Sequence, residues 1–264
     1  MKRGIIGLGN MGRIVASVLV RYDEELLVAN RTAAKVEEFV THIGGVTSSV
    51  ETIFQEADLI YLAVKPQQLL SLLEKYKDIL ASRPDLNLVS MAAGVTIAQI
   101  EELVGADRGI IRIMPNTPIA VDEGVITYAT NSALSETMRT DFVASMVEAA
   151  QLFWIEEGQM DAATAMAGCG PAFVYQFIEA LADGGVLAGL PRALAEELAV
   201  QTLIGGAQMV GQTGLHPGQL KDQVCSPGGA TIAGVAMLER AGLRSGVMDA
   251  VIAAKERSQE LAGK

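Results

Sequence analysis

At 264 residues the chain is long for one hydrophobic core and suits two domains of ordinary size. A net charge of −11 excludes a general nucleic-acid binder, and the only two cysteines, Cys169 and Cys225, provide neither a disulfide framework nor a zinc spacing, so no metal is expected. Half of the residues are hydrophobic and the mean hydropathy is +0.32. Yet the two longest uncharged stretches are interrupted, one by Gly168-Cys169-Gly170-Pro171 and the other by Gln201, Gln208, Gln212 and Gln219, so neither makes a membrane span.

The first residues, Met1-Lys2-Arg3, run straight into a strand over 3–8 without a targeting signal, and the expectation is a cytoplasmic protein. Gly7-Leu8-Gly9-Asn10-Met11-Gly12 follows, and then a helix from Met11 to about Arg21. This is G-x-G-x-x-G between a strand and a helix, the context in which that motif predicts a dinucleotide fold. Gly7 permits the turn, Gly9 lets the backbone approach a pyrophosphate, and Gly12 lets helix and strand pack closely.

The second strand, over 26–29, ends at Asn30-Arg31-Thr32. Sites for NADH place an acid there to hold the ribose 2′-hydroxyl. This chain has Arg31, the Thr32 hydroxyl and, one turn later, Lys35, groups that suit a 2′-phosphate; NADPH is the expected cofactor and NADH the second choice. The alternative is an ordinary helix start with solvated cations.

Alternation continues with a helix over 35–43, a turn and strand at Gly44-Gly45-Val46-Thr47, and a helix over 50–56 capped by Ser48-Ser49. A buried strand over 58–64 leads to Lys65-Pro66-Gln67 and an amphipathic stretch to Leu80. Further strands cover 86–92, ending in Ala93-Gly94, and 109–114, ending in Pro115-Asn116-Thr117-Pro118. Strands alternating with helices imply a parallel, doubly wound sheet whose ligand lies beyond the carboxyl ends of the strands. Residues 123–130 add another strand, 135–152 a helix, and 153–155 a last short strand. The cofactor set therefore comprises Gly7, Leu8, Gly9, Asn10, Met11, Gly12, Asn30, Arg31, Thr32, Lys35, Ser49, Ala63, Val64, Lys65, Pro66, Ala92, Ala93 and Gly94.

Beyond Gln159 the strand signals fade. Long helices over 171–187 and 191–210 each begin at a proline and are poor in charge; shorter ones cover 217–224, 231–241 and 243–261. Helices apolar nearly all round must be buried, and about 100 residues have a limited interior, so an intertwined helical dimer is inferred. The fold class is α/β, an N-terminal Rossmann-type doubly wound sheet over 1–157 plus an all-α C-terminal dimerisation domain over 158–264.

Within that second domain, Ser226-Pro227-Gly228-Gly229-Ala230-Thr231 opens a helix. Such a loop can hold a carboxylate on backbone amides while Thr231 offers a short hydrogen bond; a plain Gly-rich helix start is the other possibility. Hydroxyacid dehydrogenases of the two-domain helical type need a base, commonly a lysine early in the helical domain. Here no lysine occurs between Lys77 and Lys221. A chemistry that extracts no strongly held proton, such as reduction of an imine, fits better.

Gly7–Gly12, Ala63-Val64-Lys65-Pro66, Met114-Pro115-Asn116-Thr117-Pro118, the stretch from Asp161 through Gly168-Cys169-Gly170-Pro171 to Phe173, and most specifically Leu220-Lys221-Asp222-Gln223-Val224-Cys225-Ser226-Pro227-Gly228-Gly229-Ala230-Thr231 occur in this order along the chain. In these stretches the chain resembles the pyrroline-5-carboxylate reductases. Cys169 stands where many members have serine, and Asn30-Arg31 where some have Ser-Pro. The resemblance implies reduction of 1-pyrroline-5-carboxylate to L-proline, a substrate carboxylate held by Ser226, Gly228, Gly229 and Ala230, Thr231 hydrogen-bonded to the ring nitrogen as the catalytic group, and Asn116, near the nicotinamide end, as a further substrate-binding residue. It also implies that Lys65 orients the cofactor, and that the protein is a homodimer, sometimes assembled into a decamer. Another NADPH-dependent imine or 3-hydroxyacid reductase of the two-domain Rossmann type is the alternative.

Overall fold

The computed structural model describes residues 1–261 and 263. It divides into two compact units, one of residues 1–169 with 254–264 and one of residues 170–253.

Among the described residues of the first unit, β1 (Arg3–Ile6), β2 (Leu27–Ala29), β3 (Val46–Thr47), β4 (Leu59–Leu62), β5 (Asn87–Ser90), β6 (Ile110–Pro115), β7 (Gly124–Thr130) and β8 (Ala150–Trp154) form one sheet in the order β3-β2-β1-β4-β5-β6-β7-β8. The helices between them are α1 (Asn10–Tyr22), α2 (Ala33–His42), α3 (Val50–Glu56), α4 (Pro66–Lys75), α5 (Lys77–Ser82), α6 (Ile97–Val104) and α7 (Glu136–Met146). The inner strands are apolar on both faces because both are covered. Leu59 and Tyr61 of β4 join Val15, Leu19 and Phe39 from α1 and α2, and Ile60 and Leu62 join Phe54, Leu69 and Leu73 from α3 and α4. Each such side chain removed from water contributes about 1.5–3 kcal/mol.

The first six strands are parallel, as the βα alternation predicts, but β7 runs antiparallel to β6, and β8 parallel to β7. The reason is the short link. Only a single 3₁₀ turn, Thr117–Val121, connects β6 to β7, too few residues for the crossover that a parallel neighbour requires. The helix expected over 135–152 stops at Met146, and 150–154 pair with β7 instead, cross-strand pairing overriding helical periodicity. The amphipathic stretch before Leu80 breaks at Tyr76, whose ring stacks on Phe54 with centroids 4.9 Å apart.

Two buried arginines of this unit meet carboxylates. Arg3, at the start of β1, meets Asp23 at 3.0 Å and also bonds Asp141 of α7. Burial works against its charge, but the Asp141 and Asp23 carboxylates prevail and its pKa is raised. Arg112 of β6, 1% exposed, pairs with Glu157 at 2.8 Å, and the same carboxylate oxygen accepts from the Ile97 N–H at the start of α6. The reversal of β7 and β8 brings the chain back here, and α8 (Met160–Ala163) followed by a π-helical turn, Thr164–Gly168, carries it to the carboxyl end of β6.

The second unit holds α9 (Gly170–Leu187), α10 (Arg192–Thr213), α11 (Pro217–Gln223) and α12 (Ala230–Arg240); α13 (Leu243–Leu261) begins in it. α9 and α10 meet through small residues. Ala182, Ala195 and Ala199 are buried, and a Cβ on Gly185 would stand 3.1 Å from that of Ala195. Tyr175, Phe177, Leu181, Leu194 and Leu198 on the same helices are exposed in the single chain. Among the described residues no helix is long and apolar enough to cross a membrane.

Candidate functional site

The turn after β1 is built by glycine. Gly7 has φ +112° and donates its N–H to Ala29 O at 2.8 Å; a Cβ there would lie 2.5 Å from the carbonyl oxygen of Ala63. At Gly12 a Cβ would come within 2.3 Å of Gly7 O and 2.9 Å of the Ala63 Cβ, so α1 can lie against β1 and β4 only with glycine there. Gly9 differs. A Cβ on it would meet nothing within 4 Å, and Gly9 lines a cleft of about 210 Å³.

Ile6, Gly7, Leu8, Gly9, Asn30, Arg31, Thr32, Lys35, Ala63, Val64, Lys65 and Gln68 line that cleft. It collects the carboxyl ends of β1, β2 and β4, where a doubly wound sheet places a nucleotide. Gly9 precedes α1 with no side-chain cap, and α1 has no acidic residue in its first turn, so its first amides are open to an anion. Asn30 organises the wall: its Oδ1 accepts from the Leu8 N–H at 3.0 Å and its Nδ2 donates to Thr32 O at 3.2 Å, tying the Gly-rich turn to the β2–α2 loop. Arg31 and Thr32 on that loop and Lys35 in the first turn of α2 are exposed, with no acid among the residues lining the cleft. The space beside Gly9, the uncapped helix start and the cationic rim fit a dinucleotide carrying an additional phosphate.

Ten of the expected cofactor residues come together here. Asn10, Met11 and Gly12 form the first turn of α1, and Pro66 the first residue of α4, without lining the cleft. Ser49 lies outside it and caps α3, its Oγ accepting from the Thr52 N–H at 2.9 Å. Ala92, Ala93 and Gly94 follow β5 further along the sheet; Ala92 is buried and Gly94 has φ +79°. Ile6 and Gln68 line the cleft although the motifs did not single them out. For Gln68 a signal existed, since Pro66 marks a helix start directly after a strand end and Gln68 falls in that first turn.

Asn116 follows β6 and is 6% exposed. Its Oδ1 accepts from the Val125 N–H at 2.8 Å, its own N–H donates to Val125 O at 3.1 Å, and its Nδ2 donates to Ala167 O at 3.0 Å.

The remaining expected residues belong to the helical unit. Gly228 has φ +69°, and Gly229 donates its N–H to Ser226 O at 3.0 Å. A Cβ on Gly229 would stand 2.3 Å from the Ser226 Oγ. Gly229 precedes α12 without a side-chain cap, so the first amides of that helix, those of Ala230 and Thr231 included, are free. Ser226, Gly228, Ala230 and Thr231 are all exposed. Lys221 pairs with Asp222 at 3.0 Å, and that bond raises its pKa, which keeps it protonated and unsuited as a base. Among the described residues no group of three or more His, Cys, Asp or Glu could hold a metal.

Comparison with known proteins bears on both units. A family model described as pyrroline-5-carboxylate reductase dimerisation matches residues 157–261, and one described as NADP oxidoreductase coenzyme F420-dependent matches residues 2–94. A pyrroline-5-carboxylate reductase of Glycine max is 42% identical over 266 residues, covering 98% of this chain and 95% of its own. Among solved structures, a pyrroline carboxylate reductase of Plasmodium falciparum with NADP bound is 35% identical, with a TM-score of 0.88 over 99% of this chain and 98% of that one. A pyrroline-5-carboxylate reductase of Coxiella burnetii is 33% identical, with a TM-score of 0.89 over 98% of each.

Proposed function

The chain belongs to the pyrroline-5-carboxylate reductase family, and from that premise we propose that it reduces 1-pyrroline-5-carboxylate to L-proline, the last step of proline biosynthesis. It is an oxidoreductase whose cofactor is NADPH, with NADH as a weaker substitute. When bound, the nicotinamide supplies the hydride. The chain does the rest. Gly7, Leu8, Gly9 and the first turn of α1, Asn10, Met11 and Gly12, hold the pyrophosphate; Arg31, Thr32 and Lys35 hold the 2′-phosphate, with Asn30 fixing their loop. Ala63, Val64 and Lys65 line the remainder of the cleft, Pro66 begins α4 beside it, Ala92, Ala93 and Gly94 take the part of the cofactor that extends along the strand ends, and Ser49 caps α3.

The observation that carries the substrate reading is the Ser226–Thr231 loop. A small cyclic carboxylate needs an anion site and a hydrogen bond at its ring nitrogen. The uncapped amides of α12, shaped by Gly228 and Gly229 and supported by Ser226 and Ala230, provide the first, and the Thr231 hydroxyl the second. Hydride reaches the imine carbon, the nitrogen takes up or keeps its proton, and the amine is the product. The hydrogen bond from Lys221 to Asp222 raises the lysine's pKa, the opposite of what a lysine base for hydroxyacid chemistry would need.

The sheet unit acts as the cofactor domain, with the functional boundary near 157, and residues 158–264 as the substrate and dimerisation domain; the compact units themselves divide at Cys169. The exposed apolar residues of α9 and α10 support a homodimer, or a higher homo-oligomer such as a decamer. The protein works in the cytoplasm, without nucleic acid or membrane. The test is oxidation of NADPH, followed by loss of its near-ultraviolet absorbance, on addition of pyrroline-5-carboxylate. Turnover with proline as product is expected; NADPH binding with no turnover on this substrate would overturn the reading.

A further inference from the structure

We propose that Asn116 is a positioning residue that stands in for a backbone donor missing from the chain and so holds the π-helical turn Thr164–Gly168 at the carboxyl end of β6. The inference rests on the reductase reading, because the turn lies at the carboxyl end of β6, the side of a doubly wound sheet on which ligands bind. The argument begins with Pro171. In a continuing helix the carbonyl of Ala167 would accept the N–H four residues on, but residue 171 is proline and has none. A carbonyl partly withdrawn from water and left without a donor is costly. Asn116 supplies one, its Nδ2 lying 3.0 Å from Ala167 O across 51 residues of sequence.

The turn that carries Ala167 has its own irregular bonding. Cys169 donates to Thr164 O at 3.0 Å, five residues back rather than four, and the Thr164 Oγ1 donates to Met160 O at 2.7 Å. Single π turns recur at functional sites. The donor that Asn116 supplies has a fixed base. Asn116 is 6% exposed and clamped to Val125 through both its side-chain Oδ1 and its backbone, so its amide group cannot rotate freely. A Cβ on Gly168 would stand 4.0 Å from Met114 Cγ of β6, so the turn lies directly over the strand end. β6 is three strands from β1, about 14 Å at the usual spacing, so the turn sits well away from the Gly-rich loop, toward the far end of the crevice. An asparagine used in this way serves the reaction through the backbone it holds, not by touching substrate.

The experiment compares Asn116→Ala and Asn116→Asp in the full chain, with and without Pro171→Ala. Asp keeps the acceptor for Val125 but turns an oxygen toward Ala167 O; Pro171→Ala restores a backbone N–H. For both Asn116 variants, kcat with pyrroline-5-carboxylate should fall roughly 10- to 100-fold, the scale for a displaced reaction geometry. KM for that substrate and the NADPH dissociation constant, read from cofactor fluorescence, should stay within about twofold. In the Pro171→Ala background the loss on Asn116→Ala should shrink to about threefold or less, because the two changes share one carbonyl. Amide exchange across 160–169 should quicken in Asn116→Ala and slow again in the double variant. A raised KM with kcat preserved would make Asn116 a substrate contact, and equal losses in both backgrounds would detach it from Pro171; either overturns the proposal. Should the wild-type protein fail to turn over this substrate, the reductase reading falls on that result alone. The exchange measurement then still decides the clamp, and unchanged exchange in Asn116→Ala would sink it. If Asn116→Ala does not fold, Asn116→Asp, which keeps the Val125 bond, carries the same comparison.

Discussion

Ile43 of the sheet unit and Leu181 of the helical unit are almost equally exposed, 43% and 41%, yet they sit in different company. Ile43 caps the end of α2, and the unit around it has two complete hydrophobic cores, one on each face of the sheet. Leu181 belongs to a set on α9 and α10, with Tyr175, Phe177, Leu194 and Leu198, in a unit whose buried core consists of three alanines. Single exposed apolar residues are ordinary; several at helical spacing over an almost empty core are a surface awaiting another chain. The sheet unit closes its interior with its own residues. The helical unit does not.

The largest effect that follows is on assembly. Leu181→Asp or Leu198→Asp should abolish the folded oligomer, giving aggregated or unfolded protein by light scattering and circular dichroism. A well-folded wild-type monomer at micromolar concentration would break the contrast between the units.

The second effect concerns the division of labour. Thr231→Val, which keeps shape and removes the hydroxyl, should lower kcat about 10²-fold or more, the scale for one preorganised polar group acting in the transition state. Thr231→Ser should retain a large part of the activity. NADPH affinity should survive both changes, since the cofactor cleft is lined entirely by sheet-unit residues. Near-normal turnover in Thr231→Val would reduce that residue to a helix-start side chain.

Arg31→Ala tests the complementary half. Loss of a charged phosphate contact, worth about 1.5–3 kcal/mol, should raise KM for NADPH roughly tenfold to a hundredfold. KM for NADH should hardly move. Equal weakening with both cofactors would remove Arg31 from the 2′-phosphate. The smallest effect belongs to Ile43→Lys, which should leave unfolding free energy within about 0.5 kcal/mol and assembly intact, as for an isolated surface position.

What could be read from the chain follows the range of the interaction concerned. The β1 turn is local, and Gly7, Gly9 and Gly12 announce both the steric and the ligand requirement within six positions. Lys221 and Asp222 are adjacent, so their pairing is local too. The direction of β7 depended on the length of a link rather than on side-chain pattern: alternation marks a strand but is the same in either direction. The start of β8 was hidden because 147–152 has helical composition, and only pairing to β7 selects the strand. Asn116 was visible as a residue at a strand end, but its partner at Ala167 lies 51 positions away. The one sequence clue was Pro171, a missing donor rather than a present group.

The pairing of Arg3 has a consequence for how the protein is made. Its guanidinium is buried at the start of the first strand, and its two carboxylates arrive at very different moments. Asp23 emerges almost with it. Asp141 follows 138 positions later, roughly 7–28 s afterwards at the usual ~5–20 residues per second of synthesis. During that interval a nascent β1 can be held against α1 by one ion pair, but the far side of the charge has no permanent neighbour until α7 has left the ribosome. Completion of the sheet is thereby tied to the second half of translation, and a chain stalled before Asp141 should be the form that chaperones and proteases recognise.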